Sequence, residues 1–269
     1  MGKKLILSLL IVVALGLGVA FWLFQTPPPE PEAVALAPPP PLPAAVIPPP
    51  IPVEQHPIVA VDASAEQVPL PDLEQSDPLY SQALAKLFGE KTLSRYFYSD
   101  RMIRRFVATV DNLSRHDAPA NMMPVKPVGG AFLVDRQAAE MSISPANAQR
   151  YAGYLAVMTA VEPRRLVDLY VSFYPLFQRA YRELGYPDGF FNDRLFEAID
   201  SLLKTPEVAP PIALAQPKVL YTYADESLQA CSAGQRIMLR LGADNRARAI
   251  KVLIAIRNEL LGRSPARQS

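Results

Sequence analysis

The apolar positions divide the chain into three stretches of different rhythm. Residues 5–24, LILSLLIVVALGLGVAFWLF, are apolar on every face, and Ser8 is the one polar head besides the Trp22 indole. At about 1.5 Å per residue, a helix of that length crosses roughly 30 Å of hydrocarbon. Residues 25–71 show no apolar period, and 16 of the 29 prolines fall there. From residue 72 the spacing becomes i, i+3, i+4, which marks helices burying one face.

Within that last stretch the punctuation predicts element boundaries. Asp77-Pro78 opens a helix whose Leu79, Ala83, Leu84 and Leu87 share a face, and Gly89 stops it. A second helix is expected over 90–98. Asp100 is placed to cap a third, carrying Met102, Ile103, Phe106, Val107, Val110 and Leu113. Prolines and Gly129-Gly130 make residues 114–131 a loop. Alternation over 132–143 predicts a short hairpin turning at 136–139. Ser144-Pro145 and Pro163 start two further helices, the second with Pro175 inside it, where a kink is expected. Residues 186–192 form a turn, with a helix next over 193–204. Residues 219–223 read as a strand or an extended crossing segment. Two final helices are predicted near 226–241 and 244–261, with Asp244 as a cap. The fold class predicted is mainly α: a helical domain of about seven helices with a small β-hairpin.

Charge sharpens the division. Lys3 and Lys4 precede the apolar run, and after it there is no Lys or Arg until Lys86. This asymmetry orients a membrane helix with its N-terminus in the cytoplasm and the rest of the chain across the membrane. A cleaved secretory signal, with Gly18 and Ala20 at its cleavage site, competes with the anchor; both export the remainder of the chain. Ala14/Gly18 and Gly16/Ala20 are small-residue pairs that admit close helix approach and a homo-oligomer. The proline-rich stretch carries five acidic and no basic residues and reads as a stiff, disordered spacer, on the order of 140 Å if fully extended. As a second reading, such proline-rich motifs serve as ligands for aromatic grooves. The organisation predicted is a cytoplasmic start and transmembrane helix (1–24), spacer (25–71), periplasmic domain (72–262) and disordered tail (263–269). The net charge of +1 hides a basic start, an acidic spacer and a domain of +4.

Chemistry is sparse. One cysteine and two histidines exclude an internal disulfide and a four-ligand Cys/His zinc site. No phosphate loop, dinucleotide fingerprint, nucleophile elbow or HExxH helix occurs. His116 sits in a polar loop and Cys231 among small neighbours, a solvated side chain and an inert thiol respectively. Asp111 and Asp193, each flanked by Asn, are the carboxylates that an acid/base mechanism would use, although helix capping also demands such residues. Basic residues gather after Gln235, as a solvated helix face or as a surface for an anionic partner. The turn Tyr186-Pro187-Asp188-Gly189-Phe190-Phe191-Asn192 is the better binding candidate of the two aromatic runs, because loops more often carry function.

Three segments resemble the signature stretches of a bacterial family known as the domain of unknown function numbered three thousand and fourteen. They are Arg104-Arg105-Phe106-Val107-Ala108-Thr109-Val110-Asp111-Asn112-Leu113; then Tyr174-Pro175-Leu176-Phe177-Gln178 through Glu183-Leu184-Gly185-Tyr186-Pro187; then Phe191-Asn192-Asp193-Arg194-Leu195 with Ile199-Asp200 and Thr205-Pro206. Ser232-Ala233-Gly234-Gln235 and Leu239-Arg240-Leu241-Gly242 fit as well. The resemblance spans most of residues 72–262 and implies the same layout of anchor, spacer and envelope domain. It implies no activity.

The expectation is therefore a single-pass protein of the bacterial inner membrane, anchored in the lipid bilayer through residues 5–24. Its periplasmic domain presents an interaction module to another envelope protein or polymer. The alternative is a carboxylate-dependent hydrolase of cell-wall glycan using Asp111 and Asp193. The candidate binding or structural residues are Arg104, Arg105, Asp111, Asn112, Tyr186, Asn192, Asp193 and Arg194. No catalytic residue, metal, cofactor or nucleic-acid partner is expected.

Overall fold

The structure, a computed structural model, describes residues 55–58, 69–137 and 140–263. The expected membrane helix (5–24), most of the spacer and nearly all of the C-terminal tail lie outside these residues. Among the described residues no helix is long and apolar enough to cross a membrane.

The domain is mainly helical, with a small antiparallel sheet. Nine α-helices occur among the described residues, rather than about seven. They are α1 (Asp77–Phe88), α2 (Glu90–Tyr96), α3 (Met102–Leu113), α4 (Asn147–Thr159), α5 (Pro163–Glu183), α6 (Phe191–Leu203), α7 (Glu226–Gln229), α8 (Ala233–Arg240) and α9 (Ala243–Gly262). The additional count comes partly from the stretch 226–241, which is two helices. The first ends at Gln229, and Ser232 caps the second by a capping box, accepting from Gln235 N while Gln235 Oε1 accepts from Ser232 N.

The expected hairpin is half of a larger unit. Strands β1 (Val134–Gln137), β2 (Glu140–Ile143), β3 (Ala213–Ala215) and β4 (Thr222–Tyr223) pair antiparallel in that order. Met141 stands opposite Leu214, and Leu214 opposite Tyr223. Of the segment 219–223 only its last two residues are strand; Val219 and Leu220 are 86% and 78% exposed. The sheet has its own small core, where Leu214 and Tyr223 pack with Leu228 of α7 and Leu239 of α8. Asn147, buried at the start of α4, ties sheet to helix: its amide accepts from Leu133 N and donates to Leu133 O.

The main core lies among α1, α3, α5, α6 and α9 and is built around rings. Phe177 of α5 stacks on Phe191 of α6 at 5.8 Å, with Tyr80, Phe106 and Tyr170 set around Phe177. Burying a side chain of this size contributes about 2–3 kcal/mol, so this pair fixes the seam between α5 and α6. The α5 helix runs unbroken through Pro175.

Several helix starts differ from the pattern read in sequence. Asp100 does not cap α3; Arg101 occupies the N-cap with a left-handed φ of 49°, and Asp100 bonds Arg105 instead. Asp244 lies inside the first turn of α9, whose cap position is Gly242. The helix α6 begins at Phe191, two residues earlier than expected, which moves Phe191 and Asn192 from the turn into its first turn, beside Asp193.

Candidate functional site

The early start of α6 is set by a side chain from another helix. Gln178 of α5 is buried, its Oε1 accepts from Phe191 N at 2.8 Å, and its Nε2 donates to Gly189 O at 2.6 Å. This one amide satisfies a free helix donor and fixes the turn before it. Asn192 and Asp193 then project from a rigid helix terminus.

Both grip the proline-rich segment. Asp193 Oδ2 accepts from Gln55 N at 2.8 Å and Oδ1 from His56 N at 2.7 Å. The His56 ring donates from Nδ1 to the same Oδ1 at 2.9 Å. Asn192, 0% exposed, donates from Nδ2 to His56 O at 2.5 Å while its Oδ1 accepts from the Tyr170 hydroxyl at 3.1 Å. The His56 ring stacks on Phe196 at 4.0 Å, and Ile58 packs against the main core. The Arg257 guanidinium also lies over the Phe196 ring, at 5.7 Å, and is held by Asp200 at 2.7 Å.

One residue further on, Arg194 serves a second cluster. Asp111, 4% exposed near the end of α3, accepts from Arg194 Nε at 3.1 Å, from Arg115 and from the Tyr186 hydroxyl at 3.2 Å. Arg115 also bonds Tyr186, and Arg194 also donates to the Asp111 carbonyl and pairs with Glu197 at 2.7 Å. The hydrogen bond and charge of Asp111 push the Arg115 guanidinium above its already high range. Beneath them Tyr181 stacks on Tyr186 at 4.5 Å, and burial raises its hydroxyl to about 12. The cluster locks α3, α6 and the turn after α5 together.

The eight candidate residues thus fall into separate groups. Asp111, Tyr186 and Arg194 meet in one cluster; Asn192 and Asp193 form the adjacent clamp. Arg104 lies elsewhere, bridging Glu74 at 2.7 Å and Glu183 at 2.6 Å. Arg105 bonds Asp100 and the Asn121 carbonyl and lies over the Tyr98 ring. Asn112 turns back to Ala108 O within its own helix. Asp111 and Asp193 cap neither α3 nor α6, and each carboxylate spends both oxygens on its cluster or clamp partners. Neither lines the groove of about 750 Å³ between α1, α2, the segment holding Tyr98 and Asp100, and Lys126. Among the described residues no group of three or more His, Cys, Asp or Glu is placed to hold a metal.

The arginines after Gln235 are largely engaged within the domain. Arg236 donates to His116 O, Arg246 to Pro206 O, and Arg263 pairs with Asp168. Cys231 donates to Ser227 O, and burial pushes its thiol up. His56 and Phe196 were not among the sequence-derived candidates. The signal for Phe196 was its helical spacing one turn after Asn192; His56 was hidden among prolines.

A family model described as protein of unknown function (DUF3014) matches residues 102–257, and the chain belongs to that family. No curated protein and no solved structure matches the chain.

Proposed function

We propose that this member of the family is a single-pass protein of the bacterial inner membrane, with its N-terminus cytoplasmic and its helical domain periplasmic. The domain acts as an interaction module for another envelope protein or polymer. The single observation that carries the binding role is the clamp: Asn192 and Asp193 take the main-chain N–H and C=O groups of a bent peptide segment, while Phe196 takes its ring. Support for the setting comes from the uncharged residues 5–24 behind Lys3 and Lys4, and from the proline-rich segment after them.

Two measurements test this. Reporter fusions to the C-terminus should give periplasmic phosphatase activity and no cytoplasmic fluorescence; the reverse rejects the orientation. A photo-crosslinking residue in place of Glu197, beside the clamp, should give a discrete adduct with an envelope component in living cells. The same residue at Lys218 provides the comparison, and adducts no stronger than those at Lys218 reject the interaction role.

A further inference from the structure

We propose that the clamp is a peptide-binding site whose present occupant, residues 55–58, is a displaceable stand-in for a partner peptide. The class of ligand is a bent peptide with a ring-bearing residue, His above all, followed by proline and an aliphatic residue. This rests on the interaction role proposed for the domain and names its ligand.

Three features carry it. First, most of the recognition is of main chain. Two adjacent N–H groups enter one carboxylate and the next carbonyl meets one amide, groups that any peptide offers. Selectivity comes from the ring on Phe196, from Asp193 Oδ1 beside the imidazole, and from the core contact of Ile58. A proline after the ring suits the site, because it removes the next N–H donor and favours an extended continuation.

Second, the receiving groups are held by the domain itself. Tyr170 fixes the Asn192 amide, Gln178 fixes the start of α6, and Asp200 holds the Arg257 that lies over Phe196. A site oriented by its own scaffold loses little freedom on binding and survives the departure of its occupant.

Third, the occupant is a short segment held by side-chain contacts alone, four hydrogen bonds, one ring stack and the packing of Ile58. Residues 55–58 contribute no helix or strand, and His56 keeps 27% of its side-chain surface exposed. Segments with few buried apolar contacts open at free energies well below global unfolding. Attachment to the same chain gives such an occupant an effective concentration on the order of millimolar. A free peptide therefore binds weakly until the resident leaves.

The test uses the full chain in detergent micelles and a fluorescent peptide of residues 52–60, PVEQHPIVA. Replacing residues 55–58 of the chain by Gly-Ser-Gly-Ser should tighten peptide binding at least tenfold over the native chain. Adding Asp193→Asn to that variant should abolish the gain, as should alanine at the histidine of the peptide. A replaced chain that keeps its circular dichroism and cooperative melt but binds no better than native overturns the proposal. If the replaced chain fails to fold, amide exchange on the native chain decides. The N–H groups of Gln55 and His56 should exchange at least a hundredfold faster than that of Phe191; exchange at the same rate overturns it. The two readings fail separately: loss of peptide binding with a persistent adduct at Glu197 rejects the ligand assigned, and binding without an adduct rejects the envelope partner.

Discussion

Asp77 caps a helix to which it does not belong. Its carboxylate sits near the start of α1, yet Oδ2 accepts from Arg101 N at 2.6 Å and Oδ1 from Met102 N at 2.8 Å, at the head of α3. Arg101 in the left-handed region leaves these donors facing α1, and the carboxylate closes them. Asp77→Ala should lower stability by about 1 kcal/mol, the cost of a lost cap. Asp100→Ala, at the position that looks like the cap in sequence, should cost less. Urea denaturation of both variants checks the order.

Asp111 is the buried acceptor on which two guanidiniums and a phenol depend. Removing it takes the buried carboxylate from Arg194, itself largely covered, and leaves it the exposed Glu197 and a main-chain carbonyl. Asp111→Ala should cost about 3 kcal/mol, as breaking a buried pair does. Arg115→Ala should cost under about 1 kcal/mol, since that arginine is 49% exposed and screened by water. Near-equal losses in urea melts would contradict this ranking.

Gly234 lets α8 approach the end of α3. A Cβ there stands 2.6 Å from Leu202 Cδ2 and 2.9 Å from the Leu113 carbonyl oxygen, and the second is backbone that does not swing aside. Gly234→Ala should destabilise by about 1–3 kcal/mol through overpacking. At Gly262, where nothing lies within 4 Å, the same change should gain about 0.5 kcal/mol from helix propensity. Thermal melts of the two variants should shift in opposite directions.

Glu183 links pH to the outer network. Burial pushes its carboxyl up, but hydrogen bonds and charge from Arg179 and Arg104 outweigh this and hold it below the ordinary value of 4.5. A depressed carboxyl stabilises the fold above its unfolded pKa, and that contribution disappears as pH falls through the lower folded value. Stability should therefore decline as pH drops below about 4.5, and Glu183→Gln should flatten that decline. Urea midpoints measured between about pH 6 and pH 3 read the difference in slope.

The legible part of the fold was its local part. Pro163 at the first turn of α5, Gly89 between α1 and α2, and the ring spacing of Phe173 and Phe177 each act within a few residues of where they are written. What was not legible acts across distance. Asp77 caps α3 and Gln178 starts α6, so the local pattern assigned one cap to Asp100 and delayed α6 by two residues. The break at Ser232 had a readable sign, Ser followed three residues later by Gln, which is a capping box. In the site, most candidate residues were marked by the family resemblance, and Asp111 and Asp193 also by their Asn neighbours near helix ends. Their grouping was not, because consecutive residues 192–194 serve two different clusters. His56 was beyond reach, since its neighbours argue for solvent and only the fold supplies Phe196 beneath its ring.

The clamp also has a mechanical meaning. Tension drawn along the chain from its N-terminal side arrives at Gln55 and His56 before it reaches α1, and Asp193 and Asn192 take it first. Those bonds spread the pull over three main-chain groups at the head of α6, next to the fully buried Phe191. Under such a pull the head of α6 is loaded ahead of α1, and the contacts of Gln55 and His56 are the first to part.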